Sequence, residues 1–357
     1  MLRRLYLHHF RNYTQAEFTF SPGVNWICGK NAQGKTNLLE AVYLLSTGRS
    51  FRTHILSELI QKQSGFFYIE AEIEKEGVSQ TLKASFDGET KKVEINATTF
   101  SNFSSLLGML PHILYAPEDI AVVAGSPSHR RKFLDLHLSQ IDPLYLHHLT
   151  RYYKAMRQRN ELLKARSEIA IEPWEMAMAQ NACYILEKRK SLIEELKPLL
   201  LQKMEHLSCG HDPLEIQYQN TLHGDTSEEL LETLQKNRKK ELHIGTTLYG
   251  PHRDDVLFSI RNLSVKSYAS IGQKHSAAAS LRLSLFEHIK KNVDEMPLFS
   301  IDDFGAHLDP SRQKQFREEL ESLGQIFITS PNADPEIFPE KKIHAIASGN
   351  VLKVGGA

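Results

Sequence analysis

The sequence predicts an α/β protein whose core is split in two by a long helical insertion. Three observations carry that prediction. The apolar stretch VNWIC (24–28) feeds the glycine-bearing loop GKNAQGKTN (29–37), which runs straight into a helical repeat. Between about 128 and 240 the chain turns into long charged segments with apolar residues at threes and fours. From Thr246 onward, apolar strands and helices alternate again.

The individual elements follow from local pattern. LYLHHF and EFTF read as strands, the second passing through SPG into VNWIC. In NLLEAVYLLSTG, Leu38, Leu39, Val42 and Leu45 share a helical face, and Gly48 stops the helix. FFYIEAEIEKEG, VSQTLKASF and KKVEIN form a small antiparallel sheet, with Asp87-Gly88 as a tight turn. SPSHRRKFLD (126–135) starts a helix that Ser128 is expected to cap after Pro127 ends the loop. PLYLHHLTRYYKAMRQRNELLKARSEI and PWEMAMAQNACYILEKRKSLIEELKPLLLQKMEHL make a helical hairpin, and SEELLETLQKNRKKEL a third helix. PLFSIDD and QIFITS are apolar strands, and IHAIASGNVLKV is a hairpin with Gly349-Asn350 at its tip. The expected division is a discontinuous lobe I of residues 1–120 and 245–357, and a helical lobe II of 121–244.

Bulk properties exclude little. Forty-three basic residues balance 43 acidic ones, so any nucleic-acid contact must come from local clustering, because phosphate attraction follows the local field. Arg151, Lys154, Arg157, Arg159, Lys164 and Arg166 are one such run, readable either as a solvated helix face or as a nucleic-acid contact. Cys28, Cys183 and Cys209 are odd in number and far apart, which fits a reducing interior, and Cys209 with His211 has no second pair to complete a zinc set. With no signal-like or membrane-length apolar run, the expected location is the cytoplasm.

The chemistry concentrates in three places. GKNAQGKT fits G-x-x-x-x-G-K-[ST]: its glycines let backbone N–H groups close around phosphate oxygens. Lys35 reaches the terminal phosphates of ATP, and the Thr36 hydroxyl can ligate Mg²⁺. PLFSIDD ends an apolar strand on two acids, placing Asp302 as a Mg²⁺ ligand and Asp303 as the carboxylate that orients an attacking water. In SYASIGQKHSAAASLRLSLFEHI, Ser270, Gly272 and Gln273 open a long helix and offer a hydroxyl and backbone donors at its positive end. A second anion site in a chain that already holds a phosphate cradle points to a two-fold dimer in which each site serves the partner's ATP.

The order of GKNAQGKT, SIGQ, SIDD and GAHLD resembles the head domain of ABC-type ATPases, and helices inserted between the first two motifs resemble the SMC-like branch. FRNY, GKTNLLEAVYLLSTGRSFR, YAPEDI followed by SPSHRRKFLD, YGPHRDD and SIDDFGAHLD are similar to the RecF family of bacterial recombination mediators, RRKFLD and GPHRDD being the most specific. The resemblance implies an ABC-type P-loop ATPase head with an inserted helical second lobe. It also implies a DNA repair and replication protein that binds ATP and Mg²⁺, dimerises through its heads and holds DNA at gaps or junctions. RecR-type and RecO-type partners, recombinase loading and the SOS response come with it.

Position by position, Gly29, Lys30, Asn31, Ala32, Gln33, Gly34, Lys35 and Thr36 with Asn37 match the Walker A loop, and Asp302 and Asp303 the Walker B pair. Ser270, Gly272 and Gln273 match the signature, Asp309 the D-loop, and Thr329 or Ser330 the switch position. Lys35 and Asp303 are the expected catalytic residues; Asp303 stands where most ABC ATPases have Glu, which implies slow hydrolysis, and the resemblance implies a weak, DNA-stimulated ATPase. Pro117-Glu118-Asp119 occupies the Q-loop region without a Gln, and His252 and Arg253 are candidate polar contacts anchored by Asp254 and Asp255. Two alternatives share these motifs: a transporter-type ATP cassette, and a DNA clamp that binds ATP without turning it over.

Overall fold

The computed structural model describes residues 1–222, 224–305, 308–332 and 341–352. In chain order the first elements are β1 (Leu2–Phe10), β2 (Tyr13–Thr19), β3 (Val24–Cys28), α1 (Lys35–Thr47), β4 (Phe67–Lys75), β5 (Val78–Phe86), β6 (Lys91–Ile95), β7 (Thr98–Phe100) and β8 (His112–Tyr115). There follow α2 (Ile120–Ala124), α3 (Pro127–Ile141), α4 (Pro143–Lys164), α5 (Glu172–Leu207), β9 (Leu214–Gln219), α6 (Ser227–Ile244), β10 (Asp255–Ile260), β11 (Leu263–Ser264) and α7 (Val265–Tyr268). The chain ends with α8 (Ile271–Asn292), β12 (Leu298–Ile301), α9 (Pro310–Glu321), β13 (Ile326–Ser330), β14 (Lys341–Ala347) and β15 (Asn350–Leu352).

The described residues of Met1–Asp119, His206–Ser208 and Ala278–Ala357 pack as one compact unit, and those of Ile120–Glu205 and Cys209–Ala277 as a second. The first unit contains two six-stranded sheets. One is antiparallel, in the order β2-β1-β4-β5-β6-β7, and its inward residues alternate as a half-buried sheet requires: Leu5 and Leu7 of β1, Ile69, Ala71 and Ile73 of β4. Asp87 makes the expected turn between β5 and β6, its carboxylate accepting from the N–H of Glu89 (3.1 Å) and Thr90 (2.7 Å). The other sheet runs β15-β14-β3-β13-β12-β8, parallel except for its edge pair β14–β15. Its inner strands LFSI and IFITS are buried on both faces, which is why they read as unbroken apolar runs. Helix α1 stops at Gly48 (φ 69°), where a Cβ would lie 2.3 Å from the Phe103 carbonyl oxygen.

In the second unit, Asp142 caps α4, accepting from the N–H of Leu144 (2.9 Å) and Tyr145 (3.1 Å). A Thr226–Glu229 capping box starts α6 and Gly245 (φ 83°) ends it. At α3 the capping position is Ser126, not Ser128: Pro127 already occupies the first helical turn, where its missing N–H is harmless, so the cap falls one residue before it. The expected return to lobe I at 245 lies inside this unit, because β10 pairs antiparallel with β9 (Val256 opposite Tyr218) in the sheet β11-β10-β9.

Charge is buried in the second unit on a large scale. Arg159, expected among the surface cations of α4, is fully buried: Nη2 sits 2.9 Å from Glu175 Oε1 and 2.6 Å from Glu241 Oε2, and Nη1 donates to Thr247 Oγ1 (2.9 Å). It cannot reach a phosphate. Arg189 donates to Asp135 Oδ1 (2.6 Å), Tyr145 Oη (3.0 Å) and the Pro251 carbonyl (2.7 Å). Among the described residues no helix is long and apolar enough to cross a membrane.

Candidate functional site

β3 delivers the chain into the glycine loop at the centre of the parallel sheet, between β13 and β14. Glycine is needed twice here. Gly29 (φ 155°) passes so close to β14 that a Cβ would lie 2.3 Å from the Ile346 carbonyl oxygen, and Gly34 (φ 121°) packs against Asn12 and Tyr13 with a virtual Cβ 2.8 to 3.0 Å from their polar atoms. FRNY holds the loop from outside. Asn12 Nδ2 donates to the Gln33 carbonyl (2.9 Å), Tyr13 Oη to the Gly34 carbonyl (2.9 Å), and Asn37 Nδ2 to Asn12 Oδ1 (2.7 Å). Arg11 forms a bidentate pair with buried Glu40 of α1 (2.8 and 2.6 Å).

A cavity of about 540 Å³ opens at the loop, bordered by Asn31, Lys35, Thr36, Arg52, Glu118 and Asp303 among others. The Lys35 ammonium donates to the carbonyls of Gly29 (2.6 Å) and Lys30 (3.0 Å); burial lowers its pKa, against the pull of Asp303 and Asp302. Asp302 is buried at the end of β12. Its Oδ1 accepts from Thr36 Oγ1 (3.0 Å) and Thr329 Oγ1 (2.7 Å), and burial raises its pKa despite those two donors. Asp303 is exposed and takes a left-handed backbone (φ 59°), and its N–H donates to Thr329 Oγ1 (2.8 Å). One hydroxyl, Thr329, therefore bridges both acids.

Of the two switch candidates, Thr329 borders the cavity, whereas Ser330 accepts from Trp26 Nε1 (2.6 Å). Asn31, Ala32, Gly34, Lys35, Thr36 and Asn37 line the cavity with Asp302 and Asp303. Gly29 and Lys30 contribute carbonyls to Lys35, and the Gln33 side chain accepts from the Ser348 N–H (2.6 Å). Asp309 caps α9, accepting from the Arg312 N–H (3.0 Å), and Ala306 and His307 of GAHLD lie outside the described residues.

Ser270, Gly272 and Gln273 belong to the second unit. Ser270 and Gln273 cap each other reciprocally at the start of α8 (2.9 and 3.2 Å), and Gln273 Nε2 donates to Asp212 Oδ1 (2.8 Å). The flanking Tyr268 and Ile271 are 70% and 72% exposed, which leaves this helix start uncovered in the single chain.

Sequence reasoning gave no role to Arg52, whose Nη1 donates to Asn37 Oδ1 (2.8 Å) at the cavity wall, or to Asn12 and Tyr13. Glu118 borders the cavity, while Asp119 pairs with Arg282 (Nε to Oδ2, 2.9 Å) and accepts from the Ala116 N–H (3.0 Å). GPHRDD turns inward. Asp255 forms a bidentate pair with Arg130 of RRKFLD (2.6 and 2.9 Å), Arg131 donates to the Asp254 carbonyl (2.8 Å), and His252 Nδ1 meets Tyr152 Oη (2.7 Å). Burial lowers the His252 pKa to about 4, so it stays neutral. The two most family-specific motifs are the two sides of one internal brace.

A glycine loop at the end of a central parallel strand, a buried aspartate on the neighbouring strand but one, and a helical insertion define an ABC-type P-loop head of the SMC kind. The RecF/RecN/SMC N terminal domain family model matches residues 1–338. The chain is 42% identical to the DNA replication and repair protein RecF of Protochlamydia amoebophila, over 97% of this chain and 98% of that one. It is 34% identical to the RecF of Halalkalibacterium halodurans, over 99% and 100%. A solved structure described as the recombination mediator protein RecF-ATP in the RecFOR pathway superposes with a TM-score of 0.90 at 31% identity, covering 99% of this chain and 97% of that one. The chain belongs to the RecF family.

Proposed function

We propose that this chain is an ATP-dependent DNA-binding protein of recombinational repair and replication restart, in which ATP with Mg²⁺ joins two copies and the joined surface grips DNA at gaps or junctions. The observation that carries the reading is the Thr36–Asp302–Thr329 cluster beside Lys35, in a cavity whose loop admits only glycine at Gly29 and Gly34. These residues fit the nucleotide and the cation: a buried carboxylate hydrogen-bonded by two hydroxyls suits a hard oxygen-seeking ion, and the loop backbone suits phosphate. A bound divalent cation supplies neutralisation of the charge on the terminal phosphates.

The chain's own groups do the rest. Thr36 and Asp302 would hold the cation, and Lys35 would exchange its loop carbonyls for phosphate oxygens. Asp303, steadied through Thr329, orients a water, and its short side chain suits slow turnover. Ser270 and the α8 N-terminus, uncovered in the single chain, present donors to the partner's nucleotide. Partnership with RecR-type and RecO-type mediators, recombinase loading and the SOS response rest on family membership.

Sedimentation with and without ATP and Mg²⁺, on the same sample assayed for DNA retention, tests the reading. Dimers and DNA retention that both require ATP support it, and nucleotide binding that changes neither refutes it.

A further inference from the structure

Helix α4 carries five basic residues and one acidic residue over its 22 positions. Two of the five are already neutralised: Arg159 by Glu175 and Glu241, and Lys164 by Glu161 (2.8 Å). The other three, Arg151, Lys154 and Arg157, are exposed and form no ion pair among the described residues. They recur at every third position, so they span about 9 Å of helix axis with like charges as neighbours. The helix offers no relief. The positions four residues away are His147 and Ala155 for Arg151, and Thr150 and Gln158 for Lys154. For Arg157 they are Tyr153 and Glu161, the latter held by Lys164. Most exposed helices interleave opposite charges and gain from it; this one keeps a repulsive row.

Aromatic surface adjoins the row within the same unit. The His148 ring of α4 stacks on Tyr184 of α5 at 4.4 Å, and Lys188 Nζ lies 5.2 Å from the Tyr184 ring centre, which adds a cation and a stacking face.

We infer that Arg151, Lys154 and Arg157 form a contact surface for the DNA backbone. This deepens the DNA-binding reading above and rests on it. Charges on one strand advance about 3.4 Å along the duplex axis, so the row matches two to three successive phosphates. Such contacts release condensed counterions, each steepening the salt dependence of binding by close to one unit. The contact positions DNA without reading sequence, as a protein acting at gaps anywhere in a chromosome requires.

The test compares the full-length wild type, the triple variant Arg151→Gln/Lys154→Gln/Arg157→Gln and the exposed control Lys62→Gln/Lys290→Gln/Lys291→Gln, all with ATP and Mg²⁺. Anisotropy of a labelled gapped duplex is followed across a salt series. The α4 variant is expected to lower the slope of log K against log salt by about 2 to 3 units, and the control by less than about 1. Lys154→Glu alone should remove at least about 1 unit, should the triple variant fold poorly. Wild-type slopes in the α4 variants, or an equal loss in the control, would overturn the surface and leave a merely solvated helix face. Absence of DNA binding by the wild type would instead sink the DNA-binding reading itself.

Discussion

Lys35, Asp302 and Asp303 in the first unit and Arg159, Arg189 and Asp254 in the second are all charged groups in strongly patterned sequence, yet they are left in opposite states. Around the glycine loop the protein satisfies its charges incompletely. Among the described residues the Lys35 ammonium hydrogen-bonds only to carbonyls and the Asp302 carboxylate only to hydroxyls, and Asp303 faces solvent beside a cavity of about 540 Å³. In the second unit these buried charges are closed by neighbouring groups: Arg159 by two glutamates, Arg189 by Asp135 and two further acceptors, and Asp254 by Tyr218 and Thr221. The difference separates a site from a brace. Unmatched charge at a cavity awaits a ligand, whereas matched buried charge holds one geometry and is costly to break.

Arg159→Ala is the largest break. It leaves Glu241 in the interior without its cation, while Glu175 keeps Arg238 (2.5 Å), and is expected to cost about 3–5 kcal/mol in denaturant unfolding. Next comes Asp303→Asn, which keeps nucleotide binding and lowers turnover at least about a hundredfold in steady-state phosphate release. An unchanged rate would strip Asp303 of its role. Lys35→Ala is expected to weaken nucleotide binding about 10- to 100-fold by calorimetry while moving stability by less than about 1 kcal/mol, because its present partners are two loop carbonyls. A large stability loss there would erase the distinction between site and brace.

The smallest expected effect is on pH and falls on both units. Burial holds His112, which is 1% exposed and hydrogen-bonded to Ser300, at about 3, and His252 at about 4. The unfolded chain takes up a proton near the ordinary value of 6.5 and the folded chain does not. Stability is therefore full above 6.5 and falls as pH drops towards the folded values, by roughly 2 kcal/mol per histidine at pH 5. His112→Gln should flatten unfolding curves measured between pH 6.5 and 5, and an unaltered slope would contradict its burial as a neutral ring.

The residues proposed for the site are legible in the sequence and their supports are not. The loop, the acids after β12 and the helix opening at Ser270 are contiguous strings, which is why the sequence suggests phosphate and metal there. Asn12 and Tyr13 act on carbonyls 21 residues away, and Arg52 reaches Asn37 across a turn, so no local pattern records them. FRNY stood out only through the family resemblance. The pairing of RRKFLD with GPHRDD was not legible, because Arg130 and Asp255 lie 125 residues apart. The same blindness put the lobe boundary at 245: β9 is short and follows a long helix, and only its pairing with β10 shows that both belong to one unit.

Mixing two defective chains tests the shared nucleotide most directly. Lys35→Ala retains its signature and Ser270→Arg retains its loop, so each pairs with itself into two broken sites, while a mixed pair has one whole site and one doubly broken. Mixing the two is expected to restore nucleotide-driven pairing and phosphate release that neither shows alone. No recovery on mixing, with full activity retained by Ser270→Arg on its own, would mean that a single chain encloses its nucleotide.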